Sequence, residues 1–133
     1  MSGRPIPAEM LDIFEEPALG NVAYRATDER LAIFPMWVSW VGEHLLTSTR
    51  VGAHKTTALT RPGTEVAVSI VSGRSPWRWL SLTGHVVDVR PDEGLAFMDS
   101  QSRRYLGMDY RDREHGREVL VVELDRVAIS PGR

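Results

Sequence analysis

The chain has 133 residues, of which 42% are hydrophobic and 26% charged, and a formal net charge of −2. A domain of this length buries roughly 68–70% of its unfolded surface, which supports one sizeable core and leaves little room for a second. The charge balance argues against a surface that tracks nucleic-acid phosphates, the apolar runs fall short of the ~20 residues of a membrane span, and the absence of cysteine excludes a disulfide framework, a thiolate nucleophile and a Cys-based metal site.

Residues 1–8 read as a flexible leader with no apolar stretch of the secretory kind, which together with the missing span and cysteines fits a cytoplasmic protein. Residues 9–133 then form a single domain. A short helix is predicted over 8–16, where Met10, Leu11, Ile13 and Phe14 give a partial apolar face before Pro17. Strand patterns follow at 21–26, 31–40 and 44–49, separated by the polar turns 28–30 and 41–43, and read as an antiparallel meander. Residues 52–59 read as a second short helix, closed by Pro62-Gly63.

The strand pattern resumes at 65–71 and again from Trp79, where Leu80, Leu82, Gly84 and Val86 alternate against Ser81, Thr83 and His85. Pro91-Asp92-Glu93 has the composition of a helix start, with acids placed where the helix dipole favours them. Leu95, Met98, Tyr105 and Leu106 then fall on one helical stripe, and Gly107 can cap it. A final strand over 118–129 is apolar on both faces at Val119-Leu120-Val121-Val122, so its centre is expected to be covered on both sides. Six or seven strands with short interleaved helices predict a mostly β fold, a small closed or nearly closed barrel.

Fifteen of the sixteen basic residues are arginine, and Lys55 is the only lysine. It ends the segment Thr47-Ser48-Thr49-Arg50-Val51-Gly52-Ala53-His54-Lys55, which carries three hydroxyls at a strand end, a glycine, and cations near a helix start. Phosphate is bound by such a set of hydroxyl and backbone donors with a compensating charge. A solvated strand–helix corner would look the same, and no P-loop spacing is present. The four histidines lack metal-ligand spacing, so no metal is expected. Ser48 has no His–Asp support for a hydrolase triad. Trp37, Trp40, Trp77 and Trp79 read as readily as core or subunit contacts as they do as site residues, and Arg103-Arg104 and the basic positions of 111–117 read most simply as solvated charge.

The order Phe34-Pro35-Met36-Trp37-Val38, Thr47-Ser48-Thr49, Gly52-Ala53-His54-Lys55, Ala58-Leu59, Val66-Ala67-Val68, Pro76-Trp77-Arg78-Trp79-Leu80 and Gly84-His85-Val86 resembles the pyridoxamine 5′-phosphate oxidase-like split β-barrel superfamily. The run Arg104-Tyr105-Leu106-Gly107-Met108-Asp109-Tyr110 is similar to its branch of short proteins that use the deazaflavin coenzyme F420. Many relatives carry asparagine where this chain has Ala58. The resemblance implies an FMN-binding-like split barrel that works as a homodimer with a cofactor, F420 or alternatively FMN, at the subunit interface.

It further implies that Thr47, Ser48, Thr49, Arg50 and Lys55 hold the cofactor phosphate, with His54 beside them among the cofactor-binding residues. The same resemblance implies that Pro35, Met36 and Trp37 lie along the ring, and that Trp77 and Trp79 help wall the site, including from the partner subunit. It also lets the edge at Arg103-Arg104 and 111–117 approach a polyanionic cofactor tail. As catalysts His54 and His85 have less to support them than as surface or strand-face histidines. The implied activity is an oxidoreductase passing a hydride between the cofactor and a small organic substrate. No side-chain general acid is evident, so a proton would come from water. A protein that carries or senses a flavin, deazaflavin or tetrapyrrole without turnover needs the same pocket, and a structural dimer with a decayed pocket is the third reading.

Overall fold

A computed structural model describes residues 3–132. Seven strands form one antiparallel sheet: β1 (Gly20–Arg25), β2 (Leu31–Met36), β3 (Val38–Val41), β4 (His44–Arg50), β5 (Glu65–Val71), β6 (Arg78–Pro91) and β7 (Arg117–Pro131). Their order in the sheet is β2-β1-β5-β6-β7-β4-β3. The two edge strands, β2 and β3, are successive in the chain with only Trp37 between them. The barrel is thus closed by the chain itself rather than by a further hydrogen-bonded ladder, which leaves a split at Trp37. The stretch 31–40, expected as one strand within a meander, is two strands, because each half pairs with a different partner: β2 with β1 and β3 with β4.

The two-residue alternation decides which side chains enter the barrel. Val22 and Tyr24 from β1, Val66, Val68 and Ile70 from β5, and Leu80, Leu82 and Val86 from β6 are buried in one cluster. Gly84 sits at a register shift in the β6–β7 ladder, where the backbone of Glu123 leaves no space for a Cβ. In β7, Leu120, Val122 and Leu124 face this core, whereas Val119 and Val121 pack with Leu46 and Phe97 in a second, smaller cluster. The doubly apolar strand centre therefore has a physical cause, since helix α1 (Ala96–Leu106) lies outside the barrel and covers its other face.

The N-terminal helix spans Ala8–Glu15 as a 3-10 helix, and Met10, Ile13 and Phe14 close one side of the core. Residues 3–7 of the expected leader lie along β7: the Arg4 N–H donates to the Leu124 carbonyl at 2.8 Å and Ile6 is buried. Met1 and Ser2, where that leader begins, lie outside the described residues. The second short helix is likewise 3-10, His54–Thr60, preceded by a turn at Gly52 with φ of +77°.

The expected helix start at Pro91 is displaced. Pro91 ends β6, residues Glu93–Leu95 make a single 3-10 turn, and α1 begins at Ala96. Asp92 still serves as the anion at this helix start, its carboxylate accepting from the N–H groups of Phe97 and Met98, both at 2.9 Å. Gly107 ends α1 in the left-handed conformation. Leu95 and Met98 are buried as expected, but Leu106 is 57% exposed and does not belong to that stripe. None of the helices among the described residues is long and apolar enough to cross a membrane.

Candidate functional site

A cavity of about 660 Å³ opens where the split meets α1, lined by Leu19, Phe34, Pro35, Met36, Trp37, Ser48, Thr49, Arg50, Ala53, Lys55, Thr56, Met98, Gln101, Tyr110, Asp112 and Arg117. Its apolar wall comes from the end of β2, the Trp37 break and the first turns of α1. Its polar wall comes from the end of β4, the following 3-10 helix and the start of β7. The size falls within the usual range for small-molecule sites.

The carbonyl of Trp37 is held from two sides. It accepts from Thr47 Oγ1 at 2.7 Å and from Gln101 Nε2 at 3.1 Å. Because a carbonyl can only accept, this bond also fixes the amide of Gln101, whose Oε1 is buried with no hydrogen-bond partner among the described residues. The Trp37 ring stacks on Tyr105, and the Tyr110 ring meets it edge-on at 6.1 Å between centroids. The strand break is therefore rigid, and it presents an aromatic wall to the cavity.

Arg50, Lys55 and Arg117 line the same cavity. None of the three makes an ion pair among the described residues. The Lys55 ammonium sits 5.0 Å from the centroid of the Phe34 ring, while its backbone carbonyl accepts from the Tyr24 hydroxyl. Asp112, the one acid on the cavity wall, is held by His115, whose ring Nδ1 lies 2.8 Å from Oδ2, and this bond keeps its carboxyl below the usual aspartate range. Thr49 is buried on the same wall, and its Oγ1 has no partner among the described residues. Cations without ion-pair partners and apolar, aromatic side chains lining one cavity suit a ligand that is anionic at one end and planar and apolar at the other.

Of the residues singled out from the sequence, the structure brings Pro35, Met36, Trp37, Ser48, Thr49, Arg50 and Lys55 to this cavity. Thr47 lies behind the wall as the prop of the Trp37 carbonyl. His54 opens the 3-10 helix with its side chain exposed and away from the lining. Trp77, 66% exposed, and Trp79, at the start of β6, also lie outside the lining.

Gln101, Tyr110 and Arg117 were not among the sequence candidates. Arg117 and Arg104 are also not the solvated charges expected at their positions. Arg117 is half-buried with its Nε donating to Ser48 Oγ at 2.8 Å, and burial lowers its pKa. Arg104 donates to the Val38 carbonyl and lies over the Tyr105 ring at 4.5 Å. A cation one position before a doubly apolar strand is the only sequence signal for Arg117, and many surface arginines share it.

No protein-family model matches the chain, and no curated protein matches it. Solved structures do. An F420 reductase is similar at 26% identity with a TM-score of 0.77, covering 92% of this chain and 98% of that one. A candidate pyridoxamine 5′-phosphate oxidase from Listeria innocua is similar at 18% identity and a TM-score of 0.64, over 91% and 94% of the two chains. The FAD and heme binding protein from Mycobacterium smegmatis is similar at 20% identity and a TM-score of 0.64, over 99% and 75%.

Proposed function

We propose that this chain, which has the split β-barrel fold of the pyridoxamine 5′-phosphate oxidase-like proteins, is a reductase that binds coenzyme F420, with FMN as the alternative, at the seam of a homodimer. The observation that carries this reading is the set of cations without an ion-pair partner among the described residues, Arg50, Lys55 and Arg117, sharing one cavity with Trp37. Similarity to an F420 reductase over nearly the full length of both chains supports the same choice.

In this reading Lys55 and Arg50, with the hydroxyls of Ser48 and Thr49, hold the phosphate. Pro35, Met36 and Trp37 lie along the ring, and Thr47 and Gln101 keep the Trp37 carbonyl in place. The cofactor supplies the hydride chemistry when bound, and the protein supplies position and electrostatics. The Met98 and Phe34 side chains exclude water from the apolar end, which strengthens every polar contact inside. His54, Trp77 and Trp79 stand outside the cavity of a single chain and would act only across the seam.

The test is the absorption and mass of the small molecule that copurifies, followed by titration with F420 and with FMN. Lys55→Ala is expected to weaken cofactor binding about tenfold or more, the worth of one charge-assisted hydrogen bond, with an unchanged melting curve. Unaltered affinity counts against the assignment. A turnover assay with reduced F420 against enones, quinones and tetrapyrroles separates a reductase from a carrier.

A further inference from the structure

Arg50 ends β4 and Arg117 begins β7, and the ladder between these strands sets the two residues directly opposite each other. Opposed residues of an antiparallel pair project to the same face, and like charges so placed repel. The chain neutralises other guanidinium groups with carboxylates: Arg78 with Asp12 and Glu16, Arg103 with Asp109, and Arg113 with Asp99. Arg50 and Arg117 have no such partner among the described residues. The nearest acid on the cavity wall, Asp112, is engaged by His115 and by the backbone N–H of Glu114.

Arg117 cannot escape the repulsion by swinging into water. Its Nε is bonded to Ser48 Oγ, its Nη2 reaches the Ser48 carbonyl at 3.4 Å, and its guanidinium rests 5.3 Å from the centroid of Tyr110. Burial is the main effect that disfavours its charged form; Tyr110, Asp112 and Asp92 partly offset it, and Arg50 contributes a smaller repulsion in the same direction as burial. A half-buried cation held beside a second cation, both on a cavity wall, is an arrangement that an incoming anion would relieve.

We propose that Arg50 and Arg117 form a two-guanidinium clamp that closes on a phosphoryl group of the ligand, with Arg117 as the residue that determines specificity for phosphorylated ligands. The inference rests on reading this cavity as the ligand pocket, but it does not depend on the ring system the ligand carries. Planar guanidinium forks match phosphate oxygens in pairs; Ser48 engages Arg117 through Nε and Nη2, which leaves Nη1 and the second N–H of Nη2 for a phosphoryl group.

The experiment compares thermal melting of the native protein, Arg50→Gln and Arg117→Gln in inorganic phosphate and in chloride at matched ionic strength. Phosphate is expected to raise the melting temperature of the native protein above its value in chloride, and both variants are expected to lose that increment. Arg50→Gln, an exposed side chain with no bonds to lose, should melt no lower than the native protein in chloride, because the repulsion is gone.

In parallel, the affinity for FMN or F420, whichever the native protein binds, should fall about ten- to hundredfold in either variant. For FMN, the preference over riboflavin should collapse. A phosphate increment that persists in both variants overturns the clamp. If neither cofactor binds the native protein while the increment is present and is lost in the variants, the clamp stands and the redox reading falls.

Discussion

Trp37 and Tyr105 stack face to face, with ring centroids 5.0 Å apart and planes 6° from parallel. The pair fastens the split of the barrel to α1. The Tyr105 hydroxyl extends the joint, donating to the Ala18 carbonyl at 2.6 Å and accepting from the Val38 N–H at 3.2 Å and from Arg104 Nη2 at 2.7 Å. One phenol thereby links the segment before β1, the first residue of β3 and α1.

Tyr105→Phe should therefore destabilise the protein by about 1–3 kcal/mol, because it leaves the Ala18 carbonyl and the Val38 N–H without their partner while keeping the ring stack. Leu106→Ala, one residue on but exposed, is expected to change stability by no more than about 0.5 kcal/mol. Urea denaturation of the two variants makes the comparison. Equal effects would show that the hydroxyl joint contributes nothing.

Glu16 is a buried carboxylate that accepts from Ser72 Oγ at 2.8 Å and from the Gly73 N–H at 2.9 Å, with Arg78 Nη1 at 3.7 Å. It ties the loop before β6 to the N-terminal helix. Glu16→Ala should cost about 3–5 kcal/mol, the usual consequence of removing one partner from a buried charge pair. The denaturation midpoint reads this directly, and a loss under about 1 kcal/mol would mean that the loop is held by other contacts.

Gly84→Ala tests the register shift in the β6–β7 ladder. Its Cβ would overlap the Glu123 carbonyl oxygen and lie 3.0 Å from the carbonyl carbon, both backbone atoms that cannot step aside. A loss of about 3 kcal/mol or more is expected, at the upper end for overpacking. Wild-type stability in Gly84→Ala would mean that the backbones of β6 and β7 are not in close contact at Gly84.

Asp99 accepts from Arg113 Nη1 at 2.6 Å and from the Tyr110 N–H at 3.0 Å, and these bonds hold its carboxyl below the usual aspartate range. A carboxyl with a depressed folded-state pKa contributes stability above its unfolded value, near 3.9, and loses it as pH falls through the folded value. Acidification below about pH 4 should thus release the segment 109–116, which carries Tyr110 and Asp112 into the cavity wall. Tryptophan fluorescence, sensitive to the Tyr110–Trp37 contact, should change over that window in the native protein. In Asp99→Asn the change should already be present at neutral pH, and identical acid profiles would remove the role of Asp99.

The barrel strands were legible in the sequence because one-sided burial imposes a period of two. β5 was predicted with the bounds it has, and the apolar alternation of β6 and the doubly apolar centre of β7 follow from the same rule. The 3-10 character of the two short helices was not legible, since partial apolar spacing over seven or eight residues fits either helix type. Nor was the break at Trp37, because local composition continues as strand on both sides and only pairing with different partners divides it.

The candidate site divides in the same way. Ser48, Thr49, Arg50 and Lys55 were visible as one local cluster, since residues near in sequence at a strand end stay near in space. Gln101, Tyr110 and Arg117 come from 46 to 62 residues beyond Lys55, and no local pattern announces their arrival. What the sequence determined by itself was the inward and outward face of β5 and β6 and the double burial of the centre of β7, which depend only on the order of apolar and polar residues. Which cations meet across a ladder without an ion-pair partner among the described residues was decided by strand pairing, because electrostatic energy depends on separation through space and not along the chain.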